Sequence, residues 1–500
     1  MSTIEVSTIE TTSGKIALSL HDGVYAATGI PYAEPLSGLG RIQPPTPRAP
    51  WSGVLPCTDF GLAVPQEIAA FMGVGAMGDD CLNLNVWTPS LESSTAGQRA
   101  VLVWVHGGGY LTGSSAQPLY HGAALCKEQQ VVVVSLNYRV GIAGFACWDQ
   151  YPELGAASNC GLRDLVLALQ WIQQNISRFS GNPQQVTLWG HSAGAMAVAT
   201  LLAVPAADGL FQRAIMQSGS TDHILQPAEA RKVAALLQQE AGDLLALWQH
   251  GSWRDVLKLQ RRLLTMSLAR ADYSVADLQF GMPALPCLEA QWLPSLPLRS
   301  ARQIPLLLGT TQDEWALYLY MPELMGSKPL NRTEPDTQDW IRLIQRGVPA
   351  AAEFLQQGYE ALMPTATCSA RMIAFESDRI FRRSSLALAG QFPETTYVYR
   401  MDWKCRGNRS LGACHVVDIP MSFAQEDSPL GQFFTAGTSE ARQLGRFIRS
   451  AWARFARGEA PDPDWPCYGR QKQVMCLDTE RRLQSSPEGE RMALWQTLHP

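Results

Sequence analysis

Short, continuously apolar stretches recur along the chain and alternate with stretches in which apolar residues return every three or four positions. Residues 100–105 and 131–135 are apolar and rich in β-branched side chains, as expected of parallel strands that are covered on both faces. Residues 159–179 instead place apolar side chains at helical spacing. Further short strands are predicted at 186–189, 214–216, 305–308 and 397–399. This alternation favours an α/β protein with a doubly wound, mostly parallel central sheet.

Two long helical stretches interrupt the alternation, at residues 228–271 and 335–390. Because open α/β folds bind ligands at the carboxyl edge of the sheet, both stretches are predicted to be cap insertions above that edge. Ordinary packing helices are the alternative. Neither an internal repeat nor a low-complexity linker divides the sequence, so residues 1–500 are predicted to form a single domain.

Composition excludes several classes of protein. The 500 residues are 46% apolar and 17% charged, which allows a large core and excludes a disordered chain. The sequence has 40 Lys and Arg against 45 Asp and Glu and no basic block, so no nucleic-acid partner is expected. No apolar run approaches the roughly 18 residues of a membrane-spanning helix, so no membrane partner is expected either.

The N-terminus lacks the basic and apolar regions of a secretory signal, and the eleven cysteines include no CxxC pair. Buried, reduced thiols in a cytoplasmic protein are therefore expected, without a zinc or redox centre. We expect a monomer or a weak homo-oligomer.

The sequence Gly190-His-Ser-Ala-Gly194 has the G-x-S-x-G pattern of a nucleophile elbow. A predicted strand leads into it and a helix of small residues leads out, which is the setting that the elbow requires. The glycines are needed because the sharp turn brings flanking residues too close for a Cβ atom. A glycine-bounded tight turn is the alternative. The pattern predicts that Ser192 is a nucleophile.

Three consecutive glycines follow the strand predicted at 100–105, in His106-Gly-Gly-Gly-Tyr110. Such a loop can direct backbone N–H groups at a ligand, which is the chemistry of an oxyanion hole. We interpret His106 as a residue that braces this loop rather than as a catalytic base.

A serine hydroxyl is almost un-ionised at neutral pH, so it needs a base, and the base needs an orienting acid. In this fold the chain order is Ser, then Asp or Glu, then His. Among the eight histidines, His415 lies late in the chain and follows the strand predicted at 397–399. Asp313 and Glu314 follow the strand predicted at 305–308, and this reasoning does not choose between them.

In its motifs the chain resembles the type-B carboxylesterase family of α/β-hydrolases, close to the bacterial para-nitrobenzyl-esterase-like members. The resemblance covers nearly the whole chain. The segments that match in order and spacing are 29–35, 80–87, 135–141, 159–164, 179–183, 211–219 and 452–456.

The resemblance implies a role for each motif residue. It makes Ser192 the nucleophile and His415 the base, and it chooses Glu314 as the acid. Ser218 is implied, less directly, as a serine that supports the triad. The backbone N–H groups implied as oxyanion donors are those of Gly108, Gly109 and Ala193.

Some positions depart from the family pattern. His191 stands where the family usually has Glu, and Trp315 stands where it usually has Gly, which adds bulk beside the acid. Secreted relatives pair a cysteine with the equivalent of Cys81, but Val64 takes the partner's place, which supports a reducing compartment. The segment between Gln66 and Asp80 has no tryptophan to hold a quaternary ammonium, so a choline substrate is not expected.

The resemblance thus implies a serine carboxylesterase that acts on small-molecule esters without a metal or organic cofactor. An amidase or a lipase with the same triad is the alternative among enzymes. A catalytically inactive, cholinesterase-like adhesion protein is disfavoured, because all three triad residues are present and no signal is seen.

Overall fold

The computed structural model describes residues 5–67, 73–92, 98–269, 284–324 and 334–498. Residues 270 and 271 of the first predicted cap segment lie outside this range. The chain divides into two compact units. The first unit comprises Met1–Met216, Thr221–Pro305 and Trp452–Glu459, and the second comprises Gln217–Ser220, Leu306–Ala451 and Ala460–Pro500.

The first unit contains a sheet in which parallel strands are flanked by antiparallel ones. Its strands are β1 (Glu5–Glu10), β2 (Lys15–His21), β3 (Val24–Pro31), β4 (Val54–Pro56), β5 (Asn83–Thr88), β6 (Arg99–Val105), β7 (Val132–Leu136), β8 (Gly181–His191) and β9 (Arg213–Gln217). Their order is β1-β2-β3-β5-β7-β6-β8-β9, with β4 beside β2. Along this order the pairs from β1 to β7 are antiparallel, whereas β6 is parallel to both β7 and β8. The short strand β4 is parallel to β2.

The central strands form where the sequence is most continuously apolar. Val103 of β6 lies opposite Val134 of β7 on one side and Leu188 of β8 on the other. All three side chains are fully buried, as a strand covered on both faces requires. The strands predicted at 100–105, 131–135 and 186–189 are therefore confirmed as β6, β7 and β8, with ends shifted by a few residues.

The helices of the first unit include the predicted helix at 159–179, which is α3. They are α1 (Ala123–Gln129), α2 (Gly141–Phe145), α3 (Cys160–Asn175), α4 (Ala193–Leu201), α5 (Pro227–Ala241), α6 (Leu244–His250), α7 (Trp253–Ala269) and α8 (Pro297–Ser300). Helix α6 begins where the Asp243 carboxylate accepts a hydrogen bond from the Ala246 N–H. The described part of the first predicted cap segment, residues 228–269, is largely helical as predicted, and its role as a cap stays a prediction.

The second unit contains a smaller sheet, made of β10 (Leu306–Thr311), β11 (Thr396–Met401), β12 (Gln473–Leu477) and β13 (Arg482–Ser485). Strands β10, β11 and β12 are parallel, and β13 pairs antiparallel with β12. The remaining helices are α9 (Ala316–Leu324), α10 (Thr337–Gly347), α11 (Ala352–Leu362), α12 (Cys368–Glu376), α13 (Arg383–Gln391), α14 (Ile419–Ser422), α15 (Pro429–Thr435), α16 (Ser439–Ala456) and α17 (Gly489–Leu498). A π-helical segment, Ser377–Arg382, joins α12 to α13.

The predicted helical stretch 335–390 corresponds to α10 through α13. Its apolar faces pack on each other and on α17, in a core that includes Trp340, Leu355, Phe375 and Trp495. Whether this stretch acts as a cap stays a prediction. None of the helices in the described part of the chain is long and apolar enough to cross a membrane.

Candidate active site

Ser192 lies at a sharp turn between β8 and α4, in the first unit. Its φ of 55° and ψ of −128° are a conformation that residues with a side chain rarely adopt, and such strain costs on the order of 1–3 kcal/mol. The side chain is 7% exposed. Strain of this kind persists where the surroundings fix it, and it is typical of a nucleophile elbow.

The two glycines of the motif are required by close packing. A Cβ atom on Gly194 would lie 2.1 Å from the carbonyl oxygen of Val105, at the end of β6. A Cβ atom on Gly190 would lie 2.5 Å from the carbonyl carbon of Gly194. Both contacts are with backbone atoms that cannot move aside, so only glycine fits at either position.

The glycine loop after β6 lies against this turn. A Cβ atom on Gly107 would be 2.7 Å from the carbonyl oxygen of His191 and 2.9 Å from Cβ of Ser192. Gly108 and Gly109 have φ angles of 119° and 61°, which glycine adopts without strain. The structure therefore brings the predicted oxyanion loop to the predicted nucleophile.

Three backbone N–H groups at this place make no hydrogen bond to any part of the chain that the structure describes. They belong to Gly108, Gly109 and Ala193. Ala193 is the first residue of α4, where an N–H has no partner within the helix. Unsatisfied donors beside a serine hydroxyl can stabilise negative charge that develops on a carbonyl oxygen.

His106 makes contacts that suit its interpretation as a bracing residue. Its ring stacks on Tyr138, with centroids 4.6 Å apart, and its Nδ1–H donates to the Gly107 carbonyl oxygen over 2.9 Å. A Cβ atom on Gly113 would lie 2.1 Å from Nδ1, so the ring is enclosed. Burial lowers the pKa of His106 to about 4, so the ring is neutral at pH 7.

Glu314 and His415 form a buried hydrogen bond in the second unit. Nδ1 of His415 donates to Oε2 of Glu314 over 2.5 Å, and Oε1 of Glu314 accepts from the Thr311 N–H over 2.7 Å. Both side chains are at least 97% buried. Since the ionised carboxylate can only accept, the proton is on Nδ1, and Nε2 of a neutral ring is an acceptor. Of the two carboxylates that the sequence left open, Glu314 is the one that meets the histidine.

Aromatic rings surround this imidazole. The centroids of Phe381 and Tyr318 lie 5.0 Å and 5.4 Å from that of His415. Trp315 stacks on Tyr318 with centroids 4.6 Å apart. The extra bulk expected at Trp315 thus extends an apolar wall that begins at the histidine.

A buried arginine fixes the turn that carries Glu314. Nη2 of Arg382 donates to the carbonyl oxygens of Thr311 and Gln312 over 2.8 Å and 3.0 Å. The same guanidinium forms an ion pair with Asp378, and both side chains are at least 98% buried. Sequence reasoning missed Arg382, Tyr318 and Phe381, because none of them belongs to a recognisable motif.

A second buried carboxylate lies close to the pair. Asp418 accepts hydrogen bonds on Oδ2 from Gln217 over 2.8 Å and from Tyr399 over 3.1 Å. Burial raises the pKa of Asp418 to about 6. The hydrogen bond from Gln217 lowers this pKa, and the negative charge of Glu314 raises it further. Sequence reasoning missed Asp418 as well, although it lies three residues after His415.

Ser218 is fully buried, with a φ of 53° and its N–H bonded to the Gly309 carbonyl oxygen over 2.8 Å. Its hydroxyl has no hydrogen-bond partner within the described ranges, so its supporting role stays a prediction. Ser192 and its glycine loop belong to the first unit, and Glu314 and His415 to the second. The convergence of all three triad side chains also stays a prediction.

Comparison with known proteins identifies the relatives of this chain. It is 33% identical to the para-nitrobenzyl esterase of Bacillus subtilis (strain 168) over 97% of both chains. It is 31% identical to the phenmedipham hydrolase of Pseudarthrobacter oxydans over 92% of both. A solved structure of a PNB esterase superposes with a TM-score of 0.82 at 30% identity, over 98% of this chain and 99% of that one. A carboxylesterase of Geobacillus stearothermophilus gives a TM-score of 0.83 at 29% identity, over 98% of this chain and 100% of that one.

These neighbours define the class: the protein is an α/β-hydrolase that hydrolyses carboxylic esters. The chain belongs to the carboxylesterase family, whose model matches residues 4–495. The predicted fold and the predicted family are both confirmed.

Proposed function

We propose that the protein hydrolyses small-molecule carboxylic esters through an acyl-enzyme intermediate on Ser192. In this proposal His415 is the general base and Glu314 is the acid that orients it. The relatives named para-nitrobenzyl esterase and carboxylesterase support the substrate class.

The observation that carries the proposal is the buried hydrogen bond between Glu314 and His415. It holds the imidazole in the tautomer in which Nε2 can take a proton, and it stabilises the imidazolium that then forms. A carboxylate and an imidazole that are buried together, late in the chain, are what a serine at a strained elbow requires.

The reaction follows in two halves. Nε2 of His415 takes the hydroxyl proton as Oγ of Ser192 attacks the ester carbonyl, and the N–H groups of Gly108, Gly109 and Ala193 stabilise the oxyanion. The imidazolium then gives its proton to the leaving alcohol, and the acyl group stays on Ser192. Water is deprotonated by the same imidazole, attacks the acyl-enzyme and releases the carboxylic acid.

The test is covalent labelling combined with one substitution. An organophosphonate should add once per chain, and peptide mass spectrometry should find it on Ser192. Ser192→Ala should fold, fail to react and turn over p-nitrophenyl acetate at background rate, whereas the exposed Ser300→Ala should behave as wild type. Wild-type turnover by Ser192→Ala, or labelling at another residue, would contradict the proposal.

A matched pair of substrates tests the bond that is cleaved. A p-nitrophenyl ester should be hydrolysed far faster than the p-nitroanilide with the same acyl group. Comparable kcat/KM values for both would instead support an amidase with the same triad.

A further inference from the structure

We infer that Asp313 is a positioning residue that fastens the loop bearing His415 to the turn bearing Glu314. Asp313 binds the main chain of this loop, whereas Glu314 is the residue that binds the imidazole. Its effect on the rate rests on the proposed function, whereas its effect on the loop does not.

Asp313 binds Ala413 from both main chain and side chain. The Asp313 N–H donates to the Ala413 carbonyl oxygen, and the Ala413 N–H donates to Oδ2 of Asp313, each over 2.9 Å. A parallel bridge also pairs Asp313 with Cys414, the residue directly before His415. The histidine loop is thus tied to the residue that precedes Glu314, two positions before the imidazole.

The two hydrogen bonds between Asp313 and Ala413 are called the clasp below. Gly412 has the conformation and the space that the clasp requires. Its φ is 55°, and a Cβ atom there would lie 2.3 Å from Oδ2 of Asp313. The carboxylate therefore occupies the volume that any other side chain at position 412 would need. The backbone of Gly412 and Ala413 and the carboxylate of Asp313 are therefore packed in direct contact.

The hydrogen bond from the Ala413 N–H matters because the Asp313 carboxyl is largely removed from solvent. Burial raises the pKa of the Asp313 carboxyl above its usual range, and the hydrogen bond from the Ala413 N–H opposes this rise. The charges of Arg382, Lys404 and Arg491 also oppose the rise. The two neighbouring carboxylates thus have different partners. Glu314 binds the imidazole of His415, and Asp313 binds the main chain of the loop that carries His415.

The first experiment compares Asp313→Ala with Asp313→Asn. Asparagine keeps an acceptor oxygen for the Ala413 N–H, and alanine does not. Loss of this acceptor should loosen the loop that carries the base, so kcat of Asp313→Ala should fall about tenfold to a hundredfold. KM should change by less than about twofold, because the loop positions the base rather than the substrate. Asp313→Asn should retain most of the wild-type kcat.

A second measurement follows the loop without reference to catalysis. Hydrogen–deuterium exchange, read by mass spectrometry on peptides covering residues 412–416, should be faster in Asp313→Ala and near wild type in Asp313→Asn. Unchanged exchange in Asp313→Ala would overturn the clasp. Wild-type kcat in Asp313→Ala, or equal losses in both variants, would also overturn it.

Gly412→Ala keeps the inference testable if Asp313→Ala fails to fold. The added methyl group should displace the carboxylate, lower kcat and speed exchange in the same peptides. Combined with Asp313→Ala, it should cost less than the product of the two single fold-losses, because the clash is then absent. Strictly multiplicative losses would contradict a shared clasp. Failure of Ser192 labelling would remove the proposed function, yet the exchange results would still decide the clasp.

Discussion

Arg382 donates from Nη2 to the main-chain carbonyl oxygen of Thr311 over 2.8 Å, at the last residue of β10. Glu314 lies three residues further on, and its carboxylate accepts from the Thr311 N–H. The peptide groups on both sides of Thr311 are therefore held, one by a buried arginine and one by the carboxylate that meets His415. Arg382 of the π-helical segment and Thr311 at the end of β10 therefore fix the position of the Glu314 carboxylate that binds His415.

Replacing Arg382 by alanine should lower both stability and activity. Asp378 would keep its contacts with Tyr359 and Arg491, but it would lose the more buried of its two arginine partners. Breaking a buried ion pair costs about 3–5 kcal/mol, so we expect the free energy of unfolding to fall by roughly 3 kcal/mol in urea titrations. Arg382→Lys should recover part of this, because it restores the charge without the forked geometry.

The exposed Arg409→Ala serves as the control for this prediction, and it should change the free energy of unfolding by no more than about 0.5 kcal/mol. A loss in Arg382→Ala as small as that in Arg409→Ala would show that the buried pair does not stabilise the turn.

Features that depend on local sequence could be predicted. The central strands follow from unbroken apolar runs, and the elbow and the glycine loop follow from motifs whose glycines are needed for steric reasons. Contacts between distant segments could not be predicted. Nothing near Arg382 or Phe381 in sequence shows that this segment returns to β10 and to the imidazole.

The choice between the two candidate acids shows the same difference between local sequence and distant contacts. Asp313 and Glu314 have the same charge and the same position after β10, so periodicity cannot separate them. Their difference is geometric: successive residues of the turn point in different directions, and only Glu314 reaches His415. Resemblance to the family named Glu314, and its hydrogen bond to His415 supports that prediction, whereas the residues alone left both open.

Gly194→Ala should abolish activity and destabilise the protein. The methyl group would lie 2.1 Å from the Val105 carbonyl oxygen, so α4 must move away from β6 and carry Ser192 with it. Overpacking of this kind typically costs about 1–3 kcal/mol, measurable by thermal or urea unfolding. Gly390→Ala is the matched control, since a Cβ atom there meets nothing within 4 Å and the residue lies in α13. It should raise stability by at most about 1 kcal/mol. Equal effects at both glycines would refute the steric argument.

Asp418 should make stability fall as pH rises through weakly acidic values. Its pKa is raised from 3.8 to about 6 in the folded protein, so the folded state binds this proton more tightly than the unfolded state. Between these two pH values each unit is worth about 1.4 kcal/mol, which gives roughly 3 kcal/mol at most. Above pH 6 the effect should be constant.

Asp418→Asn tests this, because it removes the titration while keeping an oxygen for the Gln217 and Tyr399 hydrogen bonds. Its free energy of unfolding minus that of the wild type should increase from pH 4 to pH 6 and then stay level. The exposed Asp464→Asn should give a difference that does not vary over the same range. A flat difference for Asp418→Asn as well would mean that its carboxyl titrates normally.

Glu314→Gln should lower kcat strongly while it changes the free energy of unfolding much less. A glutamine amide nitrogen could donate to Nδ1, which would leave the proton on Nε2, the wrong position for a base. Loss of the orienting carboxylate in this way costs up to about 10⁴-fold in kcat. Steady-state kinetics on p-nitrophenyl acetate measures kcat, and urea titration measures the free energy of unfolding. A glutamine variant with near wild-type kcat would show that Glu314 does not orient the base.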